Sequence, residues 1–205
     1  MILPFKTEEL LLQQIREVEL WHKSFEIIEI NDPLEFSTLV SIQNQKNFEL
    51  WHKEDIARDP HASDSEIASI KRSIDILNQK RNDMIEQIDH YLVNFLKSEK
   101  VIYLPDVEMN SETPGNIIDR LSINALKIFH MEEETKREDA DNEHIKKTKE
   151  KLSILVEQRT DLGQCLSKLL EDLFKGEKFL KIYRQMKMYN DESLNPVLYK
   201  KRKTS

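Results

Sequence analysis

The chain reads as an all-α protein, an elongated bundle of five or six helices forming one domain over residues 1–205. Three observations predict this. Turn-formers are scarce, with 3 glycines and 6 prolines in 205 residues, about a third of average usage. Charged residues make up 34 % and hydrophobic ones 39 %, which suits helices that bury about three positions in seven. The apolar residues recur at spacings of three and four rather than in alternation. A sandwich, barrel or doubly wound sheet would need turns and β-rich runs that are missing.

Each element has a local cause. Thr7 offers a capping oxygen ahead of Glu8 and Glu9, predicting a helix over 7–30 with the stripe Leu11, Ile15, Val18, His22 and Phe25. Asp32-Pro33 opens a second helix, 33–58, and Asp59-Pro60 ends it. Ser63 and Glu66 make a capping box for a third, 64–97, whose seam runs Ile67, Ile70, Ile74, Leu77, Arg81, Met84, Ile88, Tyr91 and Phe95. Pro105 keeps 98–112 out of helix, leaving a long loop. Thr113-Pro114 restarts a helix over 113–139. A junction near Ala140–Asn142 precedes a helix over 143–175, with Leu152, Leu155, Arg159, Leu162, Leu166, Leu169 and Leu173 in its seam and Gly176 as its stop. A short helix over 177–188 and a tail over 189–205 complete the chain.

Charge excludes one broad function. A net charge of −7, from 31 basic against 38 acidic residues, argues against nucleic acid as a partner, because phosphate backbones need a basic face. Lone Cys165 has no disulfide partner in the chain, the opening MILPFKTEELLLQQ lacks a basic region and a long apolar run, and no stretch is apolar enough for a membrane span. A cytoplasmic protein is the expectation. The P-loop, the GxSxG elbow, zinc-type Cys/His spacing and the Rossmann glycines are all missing, which disfavours the common nucleotide and hydrolase chemistries. The sequence names no reaction and no cofactor.

The candidate site rests on charge inside apolar seams. Arg81 and Arg159 occupy core positions of their helices, so each needs a carboxylate partner or an anion in a cavity. Glu54, Asp55, Asp75 and Asp119 are the candidate partners. His52 and Asp55 lie one helical turn apart and form the candidate acid–base pair. Arg58, Arg81, Asp119, Arg120 and Arg159 form the candidate ligand-binding set, with Tyr189 in the donor-rich tail as a lid or wall. Gly115 sits in the first turn of its helix, where glycine costs about 1 kcal/mol relative to alanine. Close helix packing or an anion held by free amide groups would each explain it.

One pentapeptide occurs twice: Glu19-Leu20-Trp21-His22-Lys23 recurs as Glu49-Leu50-Trp51-His52-Lys53. Two helices that each set a Trp against the same core would produce this, and so would a pseudo-symmetric pair sharing a site. Glu19-x-x-His22 and Glu49-x-x-His52 also match part of the di-metal bundle pattern, but that pattern needs two further glutamates, so no metal ligand is assigned. Two functions follow. In the first, an anionic small molecule, a phosphate or carboxylate, is bound or transformed between helices. In the second, the protein is a non-catalytic interaction module, a homodimer in its simplest form, whose buried ion pairs fix helix register and whose charged 132–151 stretch meets a partner.

The segments LWHKEDIAR (50–58), ETPGNIIDRLS (112–122), KIFHM (127–131), EQRTDL (157–162) and YRQMKMYNDESLNP (183–196) together resemble a bacterial family of uncharacterised helical proteins defined only as a domain of unknown function. The likeness covers residues 40–199. It implies a bacterial helical protein and carries no activity or cofactor with it. IKRSIDILNQKRNDMIEQI (70–88) is also similar to the long first helix of the all-helical chorismate mutases, which bind a dicarboxylate with arginines from several helices. That likeness serves as an analogy for an arginine-lined cavity.

Overall fold

A computed structural model describes residues 5–28, 35–183 and 193–194. It contains five helices: α1 Thr7–Lys23, α2 Phe36–Ala57, α3 Asp64–Ser98, α4 Pro114–Glu134 and α5 Asn142–Lys175. Two short strands, β1 Glu108–Met109 and β2 Lys178–Phe179, pair in parallel. The architecture is all-α, and α3 and α5 are the long members, as periodicity predicts. No described helix is long and apolar enough to cross a membrane.

Local chemistry sets most boundaries. Ser63 and Glu66 close their capping box, Thr113 accepts from the Asn116 amide ahead of Pro114, and Gly176 ends α5 in the left-handed region at φ 69°. Asp141 caps α5. Thr7 is not a cap. It is the first residue of α1, buried, and its hydroxyl accepts from Ser167.

Two predicted helices are too long and a third does not form in its described part. α1 stops at Lys23 instead of 30, because the Gln45 side chain accepts from the Ile28 amide and donates to the Glu26 carbonyl, holding 24–28 out of helix. α4 stops at Glu134 instead of 139. There Arg137 clasps Glu134 and Asp139, and Glu134 also reaches His144, which fixes the turn into α5. The described part of the predicted 177–188 helix is strand and coil, since β2 finds an edge in the 98–112 loop: Asn110 N–H donates to Phe179 and Leu104 N–H to Gly176.

The pairings set helix directions. Gln13 meets Ser37 and Ser41 while Trp21 meets Phe48, so α1 and α2 run parallel. α4 runs with them, since Gln14 reaches Ile118 and His22 stacks on Phe129. α3 opposes α4, through Arg81–Asp119 and Asp89–Gly115. α5 opposes α1, through Ser167–Thr7 and Arg159–Leu11.

Packing is stratified along this bundle. One apolar layer gathers Leu10, Val40, Ile88, Leu92, Ile118, Leu121 and Leu166, and a second gathers Val18, Trp21, Phe48, Ala125 and Leu126. Between them every helix contributes a polar side chain: Gln14, then Gln43, Asn44 and Asn47, then Arg81, then Asp119 and Ser122, then Arg159. This belt turns α1 away from its predicted stripe. Gln14 is fully buried while Leu11 and Ile15 are only partly so, because the Gln14 amide bonds the Ile118 carbonyl and its oxygen takes a bond from Arg159.

Candidate functional site

Asp119 is the hub of the belt. Gln43 Nε2 donates to its Oδ1 at 2.5 Å, Asn47 Nδ2 donates to the same oxygen at 3.0 Å, and Arg81 Nη2 donates to Oδ2 at 3.1 Å. Burial pushes the Asp119 carboxyl above the usual carboxylate range, against the pull of Arg81 and the two amides. Of the four partners the sequence offers Arg81, the structure selects Asp119; Asp75 pairs with Lys71, and Glu54 and Asp55 with Arg58. Arg81 lines a cleft of about 310 Å³ between α2, α3 and α4, also lined by Asn47, Trp51, Glu54, Asp55, Arg58 and Asn78.

Arg159 lies elsewhere. It is buried and has no carboxylate partner among the described residues. Its fork donates to the Leu121 carbonyl at 2.7 Å, the Leu11 carbonyl at 2.6 Å and Gln14 Oε1 at 3.3 Å. Burial alone pulls its pKa down to about 10. The expected carboxylate partner of Arg159 is therefore corrected. Main-chain carbonyls, whose second lone pairs helices leave free, take that role.

A second cluster lies where α1, α2 and α4 end. His22, His52 and His130 each offer a ring nitrogen within 4.8 Å of the other two. His22 Nδ1 donates to the Val18 carbonyl at 2.7 Å, and His130 Nδ1 to Glu133 at 2.8 Å. Nε2 of all three rings is buried and has no hydrogen-bond partner among the described residues. Aromatic rings wedge the cluster: Phe129 stacks on His22 at 3.9 Å, Trp51 on His130 at 5.0 Å, and Phe48 meets His52 edge-on at 4.4 Å. Burial lowers the pKa of His22 and His52, and the neighbouring histidines add to the effect.

The predicted residues thus divide. Asp55, Arg58 and Arg81 line the cleft, and Asp119 holds Arg81 there. No hydrogen bond joins His52 to Asp55; Asp55 sits 3.6 Å from Arg58, and His52 belongs to the histidine cluster. Arg120 is exposed and bonds Glu112 at 2.7 Å, away from the cleft. Tyr189 lies outside the described residues. Gly115 packs against α3, where an added Cβ would fall 2.7 Å from the Ile85 carbonyl oxygen. An anion does sit at that helix start, but it is the protein's own Asp89, which accepts the Gly115 amide at 2.7 Å.

Sequence reasoning missed His22 and His130 as site residues. The available signal was the repeated pentapeptide, which puts both of its histidines in one cluster, their ring centroids 5.1 Å apart. Glu19 and Glu49 do not join them; Glu19 is exposed and Glu49 pairs with Lys46.

A five-helix all-α bundle with a buried polar belt and a histidine cluster at one end is the class this geometry defines. The family model "Protein of unknown function (DUF4254)" matches residues 37–182, and the chain belongs to that family. No curated protein and no solved structure matches it.

Proposed function

We propose that the protein binds a small anionic molecule, a phosphate or carboxylate, in the cleft between α2, α3 and α4. One observation carries this reading. Asp119 holds the Arg81 guanidinium through Nη2, with Nε 3.0 Å from its other oxygen, while Nη1 of this cleft-lining residue makes no hydrogen bond among the described residues. A guanidinium fixed on one edge is preorganised to present its remaining donors to a carboxylate or phosphate. Arg58 stands across the same cleft with its side chain 68 % exposed, tied to Glu54 and Asp55 within its own helix. Exposed pairs of that kind are worth only about 0.3–0.5 kcal/mol, so an incoming anion recruits Arg58 at little cost. Asn78 supplies a further amide group, and Trp51 an apolar wall.

Thermal denaturation of the purified protein in the presence of inorganic phosphate, phosphomonoesters and small carboxylates tests this. A ligand at a hundred times its Kd stabilises by about 2.7 kcal/mol, a rise in Tm of roughly 5–10 °C for a chain of this size. Arg81→Gln should abolish the rise and Arg58→Gln reduce it. A panel without any shift, or an equal shift in Arg81→Gln, sinks the reading.

The interaction-module reading has one observation of its own. A nearly apolar groove beside α4 and α5, lined by Trp51, Met131, Ile154 and Leu155, is flanked by Lys127 and Lys151. Sedimentation equilibrium tests the homodimer form: a dimer disrupted by Ile154→Glu favours it, and a monomer at all concentrations removes it.

A further inference from the structure

The geometry points to a metal site: we propose that His22, His52 and His130 together bind one divalent transition-metal ion of the zinc class through their Nε2 atoms. This reading is independent of the anion cleft, which none of the three histidines lines.

Three ligands come from three helices, and their ring nitrogens lie within 4.8 Å of one another. The centre of a triangle with that side is about 2.8 Å from each corner, against a metal–nitrogen bond of about 2.0–2.1 Å. Each ring therefore needs to advance by about 0.7–0.8 Å, within reach of a small side-chain rotation.

Protonation is dictated by the outer partners. The Val18 carbonyl and the Glu133 carboxylate can only accept, so Nδ1 of His22 and of His130 carries the hydrogen. In a neutral ring that leaves Nε2 as a lone pair. Both lone pairs are buried and unanswered among the described residues, and His52 Nε2 shares that state. Buried acceptors without donors are costly in a folded protein. A cation shared by all three answers them at once. An outer hydrogen bond from Nδ1 to a carbonyl or carboxylate is also the arrangement that orients a metal-bound histidine and raises its basicity.

The backbone favours a cation here too. α1 ends at Lys23, one residue past His22; α4 ends at Glu134, four past His130; α2 ends at Ala57, five past His52. The negative end of the α1 dipole thus lies at the cluster, with the ends of α4 and α2 one turn or more beyond it.

An aromatic cluster would by itself account for the ring stacking. Phenylalanine would serve that purpose without stranding three nitrogens. Imidazole donors select zinc, cobalt, nickel or copper over magnesium and calcium, which prefer oxygen. Three protein ligands leave a fourth tetrahedral position for water or an exogenous ligand, the pattern of an open site rather than a closed structural one.

The test uses tag-free full-length protein, stripped with chelator and then titrated with cobalt(II) and zinc(II). One cobalt per chain should bind, with visible ligand-field bands of a tetrahedral nitrogen site that zinc bleaches and magnesium does not. His52→Phe and His130→Phe keep the ring packing. Each should lose the bands and weaken zinc binding at least 100-fold, with the far-ultraviolet circular dichroism unchanged. Glu133→Gln should weaken it by about 10- to 100-fold through His130. Nitrogen-15 spectra of wild-type histidines give a readout that needs no variant: zinc should move three Nε2 resonances. Wild-type protein binding no cobalt or zinc overturns the proposal, as do unmoved resonances or undiminished binding in both Phe variants. Loss of zinc binding with phosphate binding intact, or the reverse, separates this site from the cleft.

Discussion

Asp89 makes the stability of this bundle depend on pH in a calculable way. It lies on α3, 3 % exposed, and accepts the Gly115 amide at the start of α4. Burial pushes its pKa from 3.8 up to about 6, against the bonds from Thr113 and Gly115 and the nearby His90; Glu86 adds to the rise. A folded-state pKa above the unfolded one means that the native protein holds the proton more tightly. The associated stability is fully present below about pH 3.8 and is lost as pH rises through about 6. A shift of about 2.2 units corresponds to about 3 kcal/mol, of which about 2 kcal/mol falls between about pH 4.5 and 7.5. Asp89→Asn keeps an acceptor for the Gly115 amide and removes the titration. Urea unfolding of both proteins at the two pH values isolates the effect. The wild type should lose about 2 kcal/mol more than Asp89→Asn on going to the higher pH. His22 and His52 have lowered folded pKa values, so their contribution runs the other way, lost as pH falls below about 6.5, and it cancels in the difference. Equal pH dependence in the two proteins would refute the assignment.

Other perturbations probe the belt and the helix ends. Arg81→Met leaves the Asp119 charge buried with two amides only and should cost about 3 kcal/mol; adding Asp119→Asn should recover part of that, and an additive double mutant would show the two residues uncoupled. Arg159→Met removes three hydrogen bonds from a buried guanidinium while relieving its desolvation, for a net loss of about 2 kcal/mol in chemical unfolding; an unchanged midpoint contradicts its structural role. Gly115→Ala sets a Cβ against the Ile85 carbonyl and should lower Tm despite the gain in helix propensity. Gly176→Ala should lower it further, because its Cβ would meet Ile102 O at 2.1 Å and its φ is positive. The reverse order would show that α5 tolerates a looser end.

Helix starts and stops were legible where a few neighbouring residues settle them, as at Ser63-Glu66, Thr113-Pro114 and Gly176. Two misjudged ends answer to a distant group, Gln45 on 26–28 and the β1 edge on 178–179, while the end at Glu134 is set by Arg137 and His144 close by in the chain. Periodicity marked Arg81 and Arg159 as charges in seams, yet it could not separate them. One meets a carboxylate beside a cleft and the other meets carbonyls, and both partners come from other helices. His22 was marked by its apolar stripe, the repeated pentapeptide and a Glu-x-x-His match, and His130 only by a KIFHM run; none of these shows that they meet, because convergence depends on the parallel course of α1, α2 and α4.

Composition and spacing were enough to make this chain helical, to count its main elements and to put polar groups in its middle, since propensity, capping and periodicity act over at most a few turns. Which polar groups face one another was settled by packing. A five-helix chain can align its helices in many ways with similar local energies. Only the mutual burial of the two apolar layers, with a hydrogen-bonded belt between them, selects the arrangement that places Arg81 at a cleft and three imidazoles around one point.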